Sequence, residues 1–370
     1  MLRRQMLATL SAVGLGPILG ACAEEVEAQG VNALQAQSGA PALAGAVVGV
    51  DGIKLIEFAG VRRQGEQPRV GPAELWHLGS NTKAMTAALY GRLVDQGKAR
   101  WQATLGELFE GVRLDPGFAR QSVEALMGHR SGMLDASVMG PGYLINAHDD
   151  VRPPPVQRAD LTARILGKPP GGKVGTFAYS NLGYVVLGSA IERITGRSWE
   201  KAITADLFTP LGMASAGFGA PLGANAWGHR PALIFAGPLK GVDPTGTSDN
   251  PVALGPAGRA HANLTDYARF LRLFLTDGGD VLTPATVKAL TTPLPGEDTP
   301  YALGWGIMTP PWAKGPVLGH EGSNTMWHAV AIVSPAHRLA FVGVANGPRG
   351  ATRSAARKFA VQLRKRFIPD

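Results

Sequence analysis

Cysteine is almost absent from this chain of 370 residues, since Cys22 is its single example and no internal disulfide can form. Histidine is sparse as well. The eight histidines form neither a His-x-x-x-His pair nor a cluster with cysteine, so the sequence gives no support for a metal site. Basic residues exceed acidic ones by eight, but they are scattered without aromatic residues between them, which argues against nucleic-acid binding.

Long apolar runs are also lacking, apart from a short one near the N-terminus. Met6 to Leu19 follows a pair of arginines, but it is too short for a membrane span and is interrupted by Pro17. Small residues then precede Cys22, which resembles a bacterial lipoprotein leader. We therefore expect residues 1–21 to be a signal peptide, Cys22 to be lipidated, and the mature protein to be exported and tethered to a membrane. An ordinary cleaved signal followed by a chance cysteine is the alternative.

Both ends of the chain carry strand-like patterns. Leu43 to Val50 and Ile53 to Ala59 are apolar runs joined by Asp51-Gly52, which predicts a β-hairpin. After residue 300, runs at 302–308, 317–320, 326–333 and 339–344 are separated by Pro and Gly, which predicts an antiparallel meander. We expect an α+β fold in which one antiparallel sheet is built from both chain ends and flanked by helices.

A mostly helical region is inserted between these strands. Helical spacing of apolar residues predicts helices at 80–97, 123–127, 160–166, 182–195 and 265–275, with others at 24–38 and 353–367. Stretches 140–176 and 217–258 are rich in Pro and Gly and are predicted to be loops. The domain at 22–370 would then consist of a sheet lobe, at about 40–76 and 300–370, and a helical lobe at about 77–299.

Ser80 and Lys83 form the first candidate catalytic pair. They lie three residues apart at the start of the predicted helix 80–97, so their side chains project from one face. A serine hydroxyl becomes a nucleophile when a base takes its proton, and a lysine can be that base only if burial lowers its pKa. Taken alone, the spacing more often marks an N-cap serine and a solvated lysine.

A Tyr-Ser-Asn segment at 179–181 precedes the predicted helix 182–195. Tyr179 can relay a proton if a nearby cation lowers its pKa, and the Asn181 amide can both accept and donate hydrogen bonds. Tyrosine before an amphipathic helix usually serves core packing.

A His-Glu-Gly-Ser segment at 320–323 lies in a predicted late strand. Gly322 would let a substrate approach the backbone, and the Ser323 amide could supply an oxyanion-hole donor beside that of Ser80. A strand histidine such as His320 is ordinary by itself, so the order of the three segments along the chain carries the inference.

That order resembles the serine β-lactamase and penicillin-binding-protein superfamily, most closely its branch of class C β-lactamases, D-aminopeptidases and family VIII esterases. The resemblance covers nearly the whole chain after the leader. It implies that Ser80 is acylated, that Lys83 is its base partner, and that Tyr179 shuttles the proton and helps to activate water. It also implies that Asn181 orients the substrate and that no cofactor is needed.

The resemblance has one clear departure. His320 and Gly322 stand where the superfamily has the Lys and Gly of Lys-Thr-Gly, with Glu321 in the place of Thr. The Lys-Thr pair grips a substrate carboxylate, and a His-Glu pair offers no comparable positive field. Strand alternation leaves open whether Glu321 faces the site.

We therefore expect a serine hydrolase that acts on a small-molecule or peptide substrate, with an ester or an amide/peptide bond as the one cleaved. A true β-lactamase or DD-carboxypeptidase is the alternative within the same chemistry. A catalytically weak, lipid-anchored binding protein is the alternative of another class, although such a protein would not need Ser80, Lys83, Tyr179 and Asn181 together.

A second motif competes with Tyr179 and Asn181. Ser248-Asp249-Asn250 spells the Ser-Asp-Asn motif of class A enzymes, but it lies in a Pro/Gly-rich stretch with no helix predicted after it. We interpret it as a chance match.

Overall fold

Strands from the two ends of the chain pair with one another in the centre of the molecule. The computed structural model describes residues 30–233, 237–245, 248–296, 298–348 and 350–370. Its strands are β1 Ala42–Gly49, β2 Gly52–Gly60, β3 Trp76–His77, β4 Gly217–Phe218, β5 Gly228–Pro231, β6 Leu239–Val242, β7 Ala260–Ala262, β8 Gly306–Met308, β9 Val317–Ser323, β10 His328–Ser334 and β11 Leu339–Ala345.

Six of these strands form one antiparallel sheet in the order β2-β1-β11-β10-β9-β8. Strand β1 lies between β2 and β11, so the N-terminal hairpin joins directly to the C-terminal meander. The other strands form a small three-stranded sheet, β3-β7-β4, and a β5-β6 hairpin. The predicted α+β fold with a sheet from both chain ends is confirmed.

The helices of the described residues are α1 Val31–Ser38, α2 Thr82–Asp95, α3 Leu105–Leu108, α4 Pro116–Ala119, α5 Val123–Met127, α6 Pro141–Asn146, α7 Pro154–Leu166, α8 Asn181–Thr195, α9 Trp199–Ile203, α10 Gly255–Gly258, α11 Leu264–Arg272, α12 Pro284–Thr291 and α13 Ala351–Phe367. None of the helices in the described ranges is long and apolar enough to cross a membrane.

The central sheet is covered on both faces, which explains the continuous apolar runs of its strands. Helix α13 packs against β1, β10 and β11, and α1 packs against α13. All eight residues of β1 are buried. On the opposite face the sheet meets the helical region, in which α2 is buried on nearly every side.

Several predicted boundaries were wrong for identifiable reasons. The helix predicted at 160–166 begins at Pro154, because a proline fits the first turn of a helix, where no backbone N–H is needed. The strand predicted at 302–308 is limited to β8. Only the part of the predicted helix 24–38 that forms α1 lies within the described residues, and the proposed leader with Cys22 lies outside them.

The stretch 217–258 was predicted to be a loop and instead contains β4, β5, β6 and α10. These elements are two to four residues long, too short for a periodic apolar pattern to reveal them. The prediction that no helix follows Ser248-Asp249-Asn250 is also wrong, because a 3-10 turn at Val252–Leu254 leads directly into α10.

Candidate active site

Ser80 lies on a tight turn and not in the α-helix itself. The turn Gly79–Asn81 is a 3-10 helix that runs into α2, so the predicted helix start at Ser80 is two residues early. Nζ of Lys83 lies 3.2 Å from Oγ of Ser80. Lys83 is fully buried and Ser80 is 5% exposed, so Ser80 is the more exposed residue of the pair.

Lys83 is held by two oxygen acceptors in addition to Ser80. Its Nζ donates to Oδ1 of Asn181 at 2.7 Å and to the carbonyl oxygen of Ala257 in α10 at 2.7 Å. Burial lowers the pKa of Lys83 to about 7, and the Asp135 carboxylate opposes that shift. A neutral amine has two N–H groups for the two acceptors, and its lone pair then points to the remaining neighbour, the Ser80 hydroxyl.

Tyr179 lies beside this pair, but its acidity differs from the expectation. The ammonium nitrogen of Lys83 lies 4.8 Å from the centre of the Tyr179 ring. Burial raises the pKa of the Tyr179 phenol well above its ordinary value, and the neighbouring Ser80 hydroxyl offsets only part of that rise. The lowered pKa that would favour proton relay by Tyr179 is therefore not found here, and Tyr179 is a neutral phenol at pH 7.

Asp135 organises the Tyr-Ser-Asn segment. Its Oδ1 accepts hydrogen bonds from the Ser180 hydroxyl at 2.8 Å and from the Leu182 amide at 3.1 Å, while Oδ2 accepts one from Nδ2 of Asn181 at 2.7 Å. The amide of Asn181 is thereby oriented with its oxygen toward Lys83. Sequence reasoning missed Asp135, because one aspartate in a long loop gives no periodic or motif signal.

His129 contacts the Tyr-Ser-Asn segment through a hydrogen bond and through ring packing. It adopts a left-handed backbone conformation, φ 58°, within the Gly-His-Arg-Ser-Gly turn, and its Nδ1 accepts the Ser180 N–H at 3.2 Å. Its ring packs 4.4 Å from that of Tyr179 and 4.8 Å from that of Tyr301. Burial, with Lys83 nearby, lowers its pKa well below the ordinary range, so His129 is neutral. The contact of His129 with Tyr179 could not be predicted from the sequence.

His320 also lies on this side of the sheet, but it is buried. Its Nδ1 lies 2.9 Å from the carbonyl oxygen of Glu321, and its Nε2 lies 3.1 Å from the Tyr301 hydroxyl. A carbonyl can only accept, so Nδ1 carries the proton and the Tyr301 hydroxyl donates to Nε2. Burial, with Lys83 adding to it, lowers the pKa of His320 to about 3. The residue in the position of the superfamily's lysine is therefore uncharged at pH 7.

Glu321 points to the opposite face of the sheet. Its two carboxylate oxygens contact Arg353 at 2.9 Å and Arg357 at 2.6 Å, both in α13, and His328 lies 3.3 Å away. The orientation that the sequence left open is thus settled, since Glu321 does not face Ser80.

Gly322 brings β9 against the Ser80 turn. A side chain at this position would collide with the Leu78 carbonyl and the Ser80 amide, so the space is filled by the protein's own backbone. Gly322 is therefore needed for the contact between β9 and the Ser80 turn, and its approach to a substrate stays a prediction. On the same grounds, Gly79 leaves no room for a side chain beside the Ser323 amide. The Ser80 and Ser323 amides therefore belong to two backbone segments in direct contact.

The Ser323 side chain has a local role. Its hydroxyl donates to the Trp327 carbonyl at 2.6 Å and accepts the Thr325 N–H at 2.9 Å, which closes the turn after β9. Asp249 of the Ser-Asp-Asn segment lies behind the Ser80 turn, where its Oδ1 is 2.9 Å from Nε2 of His77. The hydrogen bonds of Lys83 described above are made with Ser80, Asn181 and Ala257, and not with the Ser-Asp-Asn segment.

Comparisons with known proteins agree with this fold. The family model described as Beta-lactamase matches residues 25–365. Penicillin-binding protein 4 of Amycolatopsis lactamdurans is 29% identical over 79% of this chain and 77% of that protein. An unguisins hydrolase of Aspergillus campestris is 28% identical over 70% of this chain, which spans about half of that protein (48%). Among solved structures, the D-amino acid amidase of Ochrobactrum anthropi SV3 superposes with a TM-score of 0.72 at 19% identity, covering 91% of this chain and 98% of that one.

Proposed function

This chain belongs to the beta-lactamase family of serine hydrolases, and we propose that it cleaves ester or amide bonds through an acyl-enzyme on Ser80. The observation that carries the proposal is the 3.2 Å contact between Ser80 Oγ and the buried Nζ of Lys83, whose pKa is lowered to about 7. About half of such a lysine is neutral at pH 7, so a base is present next to the nucleophile without a histidine.

In the acylation step, Oγ of Ser80 attacks the substrate carbonyl carbon while Lys83 takes the hydroxyl proton. The negative charge that develops on the carbonyl oxygen would be stabilised by the Ser80 and Ser323 amides. The proton then passes to the leaving amine or alcohol. Tyr179, as a neutral phenol, would relay this proton by donating its own hydroxyl proton to the leaving group while it receives one from Lys83, and its hydroxyl makes no hydrogen bond of good geometry within the described residues.

In the deacylation step, a water molecule attacks the acyl carbon and gives its proton to Lys83, again through Tyr179. Oγ of Ser80 leaves and recovers that proton, which restores the starting state. Asn181 would position the substrate relative to the Lys83 amine. Its amide oxygen already accepts a hydrogen bond from Lys83, and its amide nitrogen is held by Asp135.

We propose further that neutral acyl groups are preferred over substrates that carry a carboxylate. His320, in the position of the superfamily's lysine, is buried and neutral. Charge-assisted hydrogen bonds contribute about 1.5–3 kcal/mol, so the loss of one weakens binding of a β-lactam or stem peptide about ten- to hundred-fold. A neutral ester or amide loses nothing. The name of the D-amino acid amidase supports hydrolysis of amides as an alternative to esters within the same mechanism.

A covalent probe tests the proposed function most directly. A fluorophosphonate should label the protein on Ser80, located by mass spectrometry of its peptides, with no labelling of Ser80→Ala. Hydrolysis of p-nitrophenyl butyrate, D-amino-acid amides and nitrocefin should then be compared by kcat/KM. Labelling elsewhere would overturn the assignment of the nucleophile, and a preference for nitrocefin would replace the ester and amide reading by a β-lactamase.

We also propose export and lipid anchoring at Cys22, on the strength of the leader pattern described above. Stable anchoring takes two or more acyl chains, so a lipidated protein should fractionate with membranes and a Cys22→Ser protein should not. A mature N-terminus at another residue would contradict this proposal.

A further inference from the structure

A buried carboxylate lies behind the Ser80 turn, on the side away from Lys83. Asp249 is 9% exposed, and its Oδ1 lies 2.9 Å from Nε2 of His77 and 2.9 Å from Nδ2 of Asn324. Its Oδ2 accepts from Nε of Arg259 at 3.1 Å. Two oxygens of one side chain thus meet residues from three separate segments, β3, the start of β7 and the turn after β9.

The contact of Asp249 with His77 connects it to the turn that carries Ser80. His77 is the last residue of β3, and its Nδ1 accepts the N–H of Gly79 at 3.1 Å. Gly79 adopts φ 52°, a conformation suited to glycine, and it is the residue directly before Ser80. A ring that accepts at Nδ1 carries its proton on Nε2, the atom that faces Asp249. The Asp249 carboxylate, 2.9 Å from Nε2, favours this tautomer of His77.

The contact of Asp249 with Asn324 connects it to the segment that carries the Ser323 amide. Asn324 directly follows Ser323, and its Oδ1 accepts the N–H groups of Met326 and Trp327, both at 3.2 Å. With its nitrogen on Asp249 and its oxygen on these amides, Asn324 has one orientation available. It holds the backbone immediately after Ser323 in place.

We propose that Asp249 is a positioning residue for the oxyanion hole: through His77 and Asn324 it fixes the Ser80 and Ser323 amides relative to each other. The inference rests on the proposed function, since it presumes an acyl transfer at Ser80. Two donors that belong to different segments need a common anchor, because a shift of about 1 Å at a reacting centre can cost about a hundred-fold in rate. The Ser-Asp-Asn segment is on this view functional, although not as the class A motif.

The charge of Asp249 is needed for this role. Burial by itself would raise the pKa of its carboxyl, but the contacts with His77, Arg259 and Asn324 hold it below the ordinary range. An ionised carboxylate accepts from all of its neighbours at once, whereas an amide presents an N–H to one of them. Asp249→Asn therefore keeps the shape of the side chain but sets a donor against Arg259 or against His77 and Asn324.

The test compares Asp249→Asn with a matched change of another buried carboxylate. Glu74 is 1% exposed, pairs with Arg62 at 2.6 Å and lies three residues before His77, so Glu74→Gln removes a buried charge without touching the Ser80 turn. We expect Asp249→Asn to lower kcat for p-nitrophenyl butyrate about thirty- to hundred-fold with KM changed less than about three-fold, the pattern of lost transition-state stabilisation. Glu74→Gln should keep kcat within about three-fold.

A second measurement separates positioning from loss of folded protein. Binding of an arylboronic acid, which forms a tetrahedral adduct on serine, should weaken in Asp249→Asn by about the same factor as kcat falls. His77→Ala should act in the same direction. Equal kcat in the Asp249 and Glu74 variants, or boronate affinity unchanged in Asp249→Asn, would overturn the positioning role. Absence of fluorophosphonate labelling at Ser80 in the unmodified protein would overturn the proposed function instead.

Discussion

Two adjacent residues of β9 show how differently the two faces of the sheet treat charge. His320 faces the Ser80 side and Glu321 faces α13, and both are almost fully buried. Burial lowers the pKa of His320 to about 3, and none of the carboxylates that the structure describes forms an ion pair with its ring, so it is neutral. Burial would raise the pKa of Glu321, but His328, Arg357 and Arg353 bring it down to about 2, so it stays ionised.

The comparison teaches that on the Ser80 face the burial of His320 is not offset by an ion pair. Lys83 is there too, and desolvation lowers its pKa to about 7, so that it can release and recover a proton near neutral pH. On the α13 face the same degree of burial is offset by two guanidinium groups, which fixes the charge. One face suits proton transfer and the other suits stability, and the predictions below follow from that division.

The largest effect should come from removing the nucleophile. Ser80→Ala should leave the fold intact and lower turnover by at least about three orders of magnitude, the scale of losing a covalent nucleophile. Lys83→Ala should be nearly as damaging, because the two groups act as a unit. Turnover of an ester and the melting temperature should be measured on both variants. Near-normal turnover in Ser80→Ala would remove the basis of the proposed mechanism.

The sequence was sufficient to predict the fold because its strongest patterns are long. The two runs of the hairpin before residue 60 and the helix at 182–195 are seven residues or longer, and the meander after 300 is a series of four apolar runs of four to eight residues. The helix at 182–195 differs by one residue from α8, which ends before Gly196 at φ 65°. The short elements between 217 and 258 were missed because two to four residues carry no period.

The candidate site was predictable only in part. The order of the motifs identified the fold, and that fold brings Ser80, Lys83 and the Tyr-Ser-Asn segment close together. The contact of Gly322 with the Ser80 turn was not predicted, because the sequence cannot reveal which backbone lies against a glycine. Asp135, His129 and Asp249 are joined to the site by contacts between residues 45 to 172 positions apart, as far as His77 and Asp249. Such pairings depend on tertiary structure and leave no local signal.

On the α13 face, the expected effect is on stability and not on turnover. Glu321→Ala should destabilise the fold by about 3–5 kcal/mol, because it leaves Arg353 and Arg357 without their buried partner. The matched control is Glu57→Ala, which removes a partly exposed pair with Arg366 at 3.0 Å and should cost less than about 1 kcal/mol. Urea unfolding of both variants measures the difference.

Lowering the pH should remove the stabilisation that the ion pairs of Glu321 with Arg353 and Arg357 provide. The folded pKa of Glu321 is about 2, below its unfolded value, so its stabilising contribution is complete above about pH 4.5 and is lost as the pH falls toward 2. Unfolding free energy should therefore fall more steeply between pH 4.5 and 2 in the parent than in Glu321→Ala. Parallel pH profiles would show that the carboxylate is not stabilised by its partners.

The effect of pH on turnover should report the protonation of Lys83 on the Ser80 face. The lowered pKa of Lys83 means that its base form is lost by protonation as the pH falls below about 7, so kcat/KM should drop about ten-fold for each further pH unit. The two histidines and the tyrosine near Lys83 do not titrate there, because burial holds the pKa values of His129 and His320 low and that of Tyr179 high. A midpoint near that of an ordinary lysine would contradict the desolvation of Lys83.

The smallest expected effect is on the choice between substrates. His320→Lys restores a cation at the position where the superfamily carries one, while Glu321 is left in place because its partners lie on the other face. Charge-assisted hydrogen bonds contribute about 1.5–3 kcal/mol, and burial of the new ammonium forfeits part of this, so we expect about a ten-fold shift toward carboxylate-bearing substrates. The measurement is the ratio of kcat/KM for nitrocefin to that for p-nitrophenyl butyrate. His320→Gln, which keeps a neutral side chain beside the Tyr301 hydroxyl, is the control and should leave the ratio within about three-fold. If the glutamine variant shifts the ratio as far as the lysine variant does, the shape of the pocket and not the charge of residue 320 determines the preference.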